Sequence, residues 1–362
     1  MTGIYIHVPF CAKKCNYCDF FSVPYQKQLV ENYVQAIIRN IKYYALENKI
    51  KINTIYFGGG TPSLLSIEQI TRILNVCAKY FILSENPEIT LEYNPSGNRK
   101  NYLHDLRVSG VNRLSIGTQS FSDKQLKLLT RTHSVQDNFR TVLTAYEQGF
   151  INISCDLILA TPYQDKNLLA ESLSNLISLP ITHCSAYLLQ IEEQTALAKD
   201  EILLANLPDD DISADLYLQT IRVLESAGFQ QYEISSFAKS GFESQHNLKY
   251  WHCEPYLGIG AGAHSCYQGR RFFVPKDIQK FCNSPKQEIK IISETACDTE
   301  EKIMLGLRTT NGVPENMLNY QAKLKIPLLV QADYLTRKLN GNIALTPKGF
   351  AVSNAVISEL LK

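Results

Sequence analysis

Cys11, Cys15 and Cys18 stand in the frame C-x3-C-x2-C near the start of the chain. A cubane [4Fe-4S] cluster normally takes four thiolates, so three on one short loop hold three irons and leave the fourth open to chelate a small molecule. Zinc is the competing chemistry. Structural zinc wants a second ligand pair far downstream to close its tetrahedron, and no second close pair follows this triplet. Phe10, Tyr17, Phe20 and Phe21 surround the loop and can shield the sulfurs from water. His7 alternates with apolar neighbours and reads as a satisfied core histidine. The other seven cysteines (Cys77, Cys155, Cys184, Cys253, Cys266, Cys282 and Cys297) are scattered singly. They read as small buried hydrophobes rather than a disulfide framework.

A second chemical element is Gly58-Gly59-Gly60-Thr61-Pro62. Three glycines let a backbone approach a ligand and expose its N–H and C=O groups. A phosphate loop would need a Lys after its last glycine, and none is present. Further on, Glu92, Gln119 and Asp156 each fall at or near the end of an apolar run, and Arg131 lies in LTRTH. One such residue is commonly a cap or a rim salt bridge. Four on successive units form one polar pocket, with carboxylates for amine and ribose hydroxyls and a guanidinium for a carboxylate.

The elements that must position these groups are short β-branched or aromatic runs: Ile4–Val8, Thr54–Phe57, Ile89–Tyr93, Arg113–Thr118, Ile153–Ala160 and His183–Leu189. Between them run helical stripes, such as Val34, Ile37, Ile38 and Ile41, or Ile70, Ile73, Leu74 and Cys77. Six strand–helix units in succession predict a parallel sheet, whose sites form at the carboxyl ends of the strands. The cysteine loop follows the first strand and the glycine run the second, so the two face each other over one rim. A second region starts near Asp209, with a helix over Asp211–Gly228 and a strand over Phe229–Ser235. Phe237–Gln268 is rich in Gly, His and aromatics and has weak periodicity. From about Cys297 come a helix (Thr299–Arg308), a hairpin signal at Asn340-Gly341 before Asn342–Leu345, and a final helix (Lys348–Leu361), which together suggest a winged-helix-like module.

The chain has 362 residues, 45% hydrophobic and 20% charged, with a formal net charge of +1. That balance gives no global attraction to nucleic acid or anionic lipid, and no basic stripe accompanies the C-terminal module. No apolar run is long enough to span a bilayer and no secretory signal precedes Cys11. The expectation is a reduced, cytoplasmic setting, with a peripheral membrane contact left open.

On these residues the chain resembles the radical S-adenosylmethionine (SAM) proteins of the oxygen-independent coproporphyrinogen III oxidase-like family. The likeness is carried in order by YIHVPFCAKKCNYCDF, FGGGTPSLL, LEYNPSG, GVNRLSIGTQSF, YEISSFAKSG, HNLKYW, YLGIGAGAHS and LTPKGF. It implies an α/β fold, a partial (β/α)6 TIM-like barrel over residues 1–235. It also implies a Gly/His/aromatic-rich extension over 236–290 and a C-terminal α+β winged-helix-like domain over 291–362. It implies a [4Fe-4S] cluster on Cys11, Cys15 and Cys18, with Tyr5 and Tyr17 flanking the cofactor. Gly59, Gly60 and Thr61 would bind the methionyl part of SAM, and Glu92, Gln119, Arg131 and Asp156 would complete its pocket. In such proteins an electron from the cluster cleaves SAM to methionine and a 5′-deoxyadenosyl radical.

The family contains oxidases and a haem-chaperone branch. Oxidases resemble C-x3-C-x2-C-x-C, and here the fourth position is Phe20; they also carry a longer N-terminal extension, whereas ten residues precede Cys11. Both departures favour the chaperone branch. The resemblance thus implies haem as cargo, handed to an acceptor protein, and an electron donor for the cluster. HNLKYW resembles a haem-associated motif, making His246, Tyr250 and Trp251 candidate haem contacts, with His252 and His264 as rival ligands. The alternative is oxidative decarboxylation of coproporphyrinogen III to protoporphyrinogen IX. One departure concerns Ala160-Thr161-Pro162, where relatives tend to have Gly-Leu-Pro. It bears on the backbone beside Asp156, because Gly tolerates angles that Ala does not.

Overall fold

The computed structural model describes every residue except 48, 96 and 98; Ser96 of the LEYNPSG motif therefore lies outside the described residues. Six strands follow one another in the chain and in space: β1 (Thr2–Val8), β2 (Lys51–Gly59), β3 (Ile82–Tyr93), β4 (Arg113–Gln119), β5 (Asn152–Leu159) and β6 (His183–Leu188). Every neighbouring pair is parallel. The crossovers run through helices Lys27–Glu47, Ile67–Tyr80, Lys100–Val108, Val135–Glu147 and Lys166–Ile177, and helix Asp210–Ser226 follows β6. This is the expected partial (β/α)6 barrel.

The helices form where apolar spacing and caps coincide. In Ile67–Tyr80 a capping box of Ser66 and Gln69 starts the helix, and Ile70, Ile73, Leu74 and Cys77 are its buried stripe. Reciprocal capping satisfies orphan backbone donors. Each stripe side chain so buried contributes roughly 1.5–3 kcal/mol.

The sheet does not end with β6. Ser236–Ala238 pairs antiparallel with β6 and then with Gln230–Glu233, a hairpin that bridges residue 235. At the other edge Tyr256–Ile259 lies parallel to β1, and strands His264–Tyr267, Arg270–Phe273 and Lys290–Ser293 continue antiparallel. Twelve strands thus make one open sheet among the described residues. The weakly periodic stretch hides more regular structure than its composition suggests. HNLKYW is no loop: Ser244 caps a helix over Gln245–Trp251. GIGAGAH begins inside a strand, Tyr256–Ile259, whose four residues are all buried. Strands this short carry too few residues to show a period.

The C-terminal part combines helices Thr299–Gly306, Tyr320–Gln331 and Ser353–Leu361 with a small antiparallel sheet of Val313–Pro314, Asn342–Leu345 and Leu335–Arg337. The Asn340-Gly341 turn joins two of those strands as its sequence predicts. The expected helix Lys348–Leu361 is broken into Pro347–Ala351 and Ser353–Leu361.

Candidate functional site

Every barrel strand sends residues to one cavity of about 440 Å³ at the carboxyl rim. Cys11, Cys15, Tyr17 and Cys18 come from the loop after β1, Gly59, Gly60 and Thr61 from the end of β2, and Glu92 and Asn94 from β3. Ser115 and Gln119 come from β4, Arg131 from the following turn, Asp156 from β5, and Ser185 and Tyr187 from β6. All the residues expected around the cluster and SAM meet there except Tyr5. That side chain lines an adjoining cavity instead, donating to or accepting from Nδ1 of His7 at 3.0 Å.

The cysteine loop has little regular structure and is held from outside. The backbone N–H of Asn16 donates to Thr130 Oγ1 at 2.9 Å, and its side-chain amide to the carbonyl of Leu128 at 2.9 Å. Phe10–Cys11 pairs with Val23–Pro24, closing the loop at its base. The glycine run forms the floor. Gly60 has room for no Cβ, which would meet the backbone O of Phe10 at 2.8 Å, and Gly59 has φ +112. The strand ends carry strain as well. Gln119, Thr130 and Ala160 all have left-handed φ, between +54 and +62, which costs about 1–3 kcal/mol each and clusters at functional sites. Ala160, the position flagged in the sequence, adopts a left-handed turn, its N–H donating to Oε1 of Gln164 at 2.6 Å.

Polar groups link the two loops. Arg131 donates through Nη2 to Asn94 Oδ1 (2.8 Å) and to the carbonyl of Gly117 (3.0 Å), and through Nη1 to Cys15 Sγ (3.5 Å). Asn94 donates to Thr61 Oγ1 at 3.1 Å, and Thr61 to Cys11 Sγ at 3.5 Å. Asn94 and Ser115 escaped the sequence reading, although both sit in motifs quoted for the pocket. A single short polar residue inside an apolar strand gives no signal of its direction.

The two carboxyls are buried and unusual. Glu92 accepts from Tyr56 Oη at 3.1 Å and from the Gly59 N–H at 3.0 Å. Burial, then the neighbouring Asp156, push its pKa up to about 8. Burial raises Asp156 to about 6, against the pull of Arg113 and the Ser115 hydroxyl. Perturbed carboxyls in a cavity mark a site built to receive charge. A cation placed between them restores both to their ionised form.

This donor set suits an iron–sulfur cluster and a zwitterionic, cationic ligand. Three free thiols share one mouth. Nε of Arg131 is buried without a partner among the described residues, in a cavity also lined by glycine backbone and two buried carboxyls whose pKa values are raised.

The candidate haem contacts are divided differently. His246 is fully buried; Nδ1 lies 2.8 Å from Thr54 Oγ1 and Nε2 2.9 Å from Tyr250 Oη. Both ring nitrogens are engaged, burial lowers its pKa to about 3, and the ring lines neither cavity. In the same motif Lys249, 2% exposed, donates to the carbonyl of Met1 and to Glu254. His252 is exposed and lines neither cavity. Tyr250, Trp251 and the exposed His264 line a second cavity of about 610 Å³. It adjoins the first and shares Phe20, Tyr56, Glu92 and Asn247 with it.

Comparison with known proteins agrees with this geometry. Residues 5–175 match the Radical SAM superfamily. The chain is 33% identical to "Heme chaperone HemW" of Lactococcus lactis, covering 99% of this chain and 97% of that one. It is 36% identical to the protein of the same name from Bacillus subtilis, over 86% and 85% of the two chains. Among solved structures it resembles coproporphyrinogen III oxidase (HemN) from Escherichia coli, a radical SAM enzyme, with a TM-score of 0.81 over 99% of this chain and 89% of that one, at 22% identity. That likeness establishes the shared fold. With relatives this similar over their whole length, and the thiol loop, glycine floor and polar rim converging on one cavity, the chain belongs to the radical SAM superfamily and, within it, to the family of the HemW proteins.

Proposed function

We propose that this protein is a haem chaperone: it binds haem beside a radical SAM site and transfers it to an acceptor protein. Cys11, Cys15 and Cys18 would hold the [4Fe-4S] cluster, which supplies single electrons when bound. Gly59, Gly60 and Thr61 would present backbone and hydroxyl groups to the methionyl part of SAM, and Tyr17 would flank it. Arg131 would meet its carboxylate, Glu92 and Asp156 its cationic and ribose groups, and Gln119 would close the rim. An electron donor for the cluster and a haem acceptor follow as partners. Ten free cysteines suit a reducing, cytoplasmic setting.

The second cavity carries the haem assignment. Its walls offer the flat faces of Phe20, Phe21, Tyr250 and Trp251, the imidazole of His264 and the ammonium of Lys276. Aromatic faces pack on a porphyrin, imidazole ligates its iron, and an ammonium pairs with a propionate. Phe20 is 60% exposed on the border of both cavities, an apolar surface that a bound porphyrin would cover. At the position where the oxidase pattern has a fourth cysteine, Phe20 would offer haem an aromatic face. His264 would be the iron ligand: His7, which lines the same cavity, has both ring nitrogens engaged by Tyr5 and the Phe21 carbonyl, whereas His264 is exposed and stacks on Phe273 with ring centroids 5.5 Å apart.

Haem titration of the anaerobically reconstituted chain, read at the Soret band, tests this. We expect one haem per chain and transfer to an added apo haem protein. His264→Ala should shift the band and weaken binding at least tenfold. Failure of stoichiometric uptake refutes the chaperone reading, uptake unchanged in His264→Ala refutes the ligand, and turnover of coproporphyrinogen III would favour the oxidase.

A further inference from the structure

Three of the cysteines scattered singly in the sequence come together far from the cluster loop. Cys253 follows helix Gln245–Trp251, Cys266 lies in strand His264–Tyr267, and Cys297 immediately precedes Asp298, the cap of helix Thr299–Gly306. Sγ of Cys266 is 3.5 Å from Sγ of Cys297, and Sγ of Cys297 is 3.5 Å from the carbonyl of Cys253. The thiols of Cys253 and Cys297 and a carboxylate oxygen of Glu301 all lie within 4.8 Å of one another. Four side chains from three separate segments thus come together.

Hydrophobic packing accounts for a small buried thiol, but not for a carboxylate among three of them. Glu301 is aimed and fixed: one oxygen accepts from Arg271 Nε at 2.5 Å and the other from the Cys297 N–H at 2.7 Å. Arg271 in turn donates to Tyr256 Oη at 3.0 Å. Cys253 and Cys297 both have left-handed φ, +53 and +62, where an L side chain costs about 1–2 kcal/mol. Cys253 sits at the helix-ending position that glycine ordinarily takes.

One of these separations already has the value a tetrahedral ion requires. With metal–sulfur bonds of about 2.3 Å and a metal–oxygen bond of about 2.0–2.2 Å, ligand atoms stand roughly 3.5–3.8 Å apart. The Cys266–Cys297 separation already has that value, and the Cys253 and Cys297 thiols with a Glu301 oxygen, within 4.8 Å of one another, would have to draw together by about 1 Å on binding. Thiolates with one carboxylate select a borderline-soft divalent cation of the zinc class over calcium or magnesium. Arg271 provides the outer contact that orients a ligating carboxylate and offsets negative charge.

We propose that Cys253, Cys266, Cys297 and Glu301 form a structural zinc site that staples the helix Thr299–Gly306 to the strands extending the barrel. Binding releases the thiol protons to solvent and involves no change of oxidation state. The site closes a loop of more than forty residues between Cys253 and Cys297, so the ion would order the junction between the haem-side extension and the C-terminal helices.

The test uses the full chain with Cys11, Cys15 and Cys18 replaced by Ser, so that the cluster loop takes no metal. Chelator-stripped protein is titrated anaerobically with Co2+ and then with Zn2+. The expected result is one equivalent of Co2+ with a thiolate charge-transfer band and the intense visible bands of a tetrahedral site, displaced by one Zn2+. Cys297→Ser should weaken binding at least 100-fold and Arg271→Ala about 10–100-fold. Should Cys297→Ser fold poorly, zinc-edge X-ray absorption of the parent chain decides, with two or three sulfurs at about 2.3 Å expected. Absence of stoichiometric binding, a sulfur-free first shell, a band unchanged in Cys297→Ser, or a Cys266–Cys297 disulfide in anaerobically isolated protein would each overturn the proposal.

Discussion

Glu92 is the residue at which the electrostatics of the proposed SAM pocket can be measured directly. Its pKa in the folded, ligand-free chain stands at about 8 against an ordinary 4.5, with burial as the main cause and Asp156 the next. The difference corresponds to roughly 5 kcal/mol at about 1.36 kcal/mol per pH unit, an upper bound because water in the cavity screens part of it. The native state keeps a proton that the unfolded chain has released. Stability from this group is therefore full below about pH 4.5 and is lost as pH rises towards 8. Glu92→Gln mimics the neutral acid and keeps an acceptor for Tyr56 and the Gly59 N–H. Ligand-free parent and variant should be about equally stable near pH 4.5; at pH 7 the variant should be the more stable by up to roughly 3 kcal/mol, rising towards roughly 5 kcal/mol at pH 8 and above. SAM brings positive charge, and a hydrogen bond to a charged partner is worth about 1.5–3 kcal/mol. The variant should bind SAM roughly 10–150-fold more weakly. Parental affinity should rise between pH 6 and 8, approaching tenfold per unit as the proton leaves, and much of that rise should vanish in Glu92→Gln. Urea unfolding of the cluster-free chain from pH 5 to 9 and calorimetric SAM titration in the same buffers read both effects. Identical pH slopes in parent and variant, or a variant no more stable than its parent at pH 7 to 9, would refute this account of the pocket.

Other substitutions separate structural from functional roles. Gly60→Ala forces a methyl to within 2.8 Å of the Phe10 backbone; it should cost about 1–3 kcal/mol and lower iron and sulfide content on reconstitution, measured by metal analysis. His246→Ala removes a buried ring bonded to Thr54 and Tyr250 and should destabilise by about 2–4 kcal/mol, whereas His264→Ala should leave the melting temperature within about 2 °C and act on haem alone. Glu254→Ala takes the carboxylate from the 2%-exposed Lys249. Because Lys249 keeps the Met1 carbonyl and Glu254 is itself half-exposed, the expected cost is about 1–2 kcal/mol, read by urea unfolding, and Lys249→Met in the same background should recover most of it.

Several features of the fold and site were legible because their signal is local. The thiol spacing, the glycine run and the strand–helix alternation each depend on a few adjacent residues. Their order along the chain placed eleven of the cavity's residues on one rim, since a parallel sheet puts every βα loop on the same side. The extension was less legible. Strands of three or four residues, such as Ser236–Ala238 and Tyr256–Ile259, show no period, and they become strands because the open barrel has two edges to pair.

Residue types and spacing by themselves determined the cluster loop, the barrel and the identity of the polar rim. Tertiary structure decided direction and company. It turned His246 inward, where Thr54 and Tyr250 satisfy both nitrogens, and left His264 facing a cavity. It moved Tyr5 to the adjoining wall and gathered Cys253, Cys266 and Cys297 around Glu301. A sequence records which side chains exist and how far apart they lie along the backbone. Which of them lose water, and which meet across dozens of intervening residues, follows from how the sheet edges and helices pack.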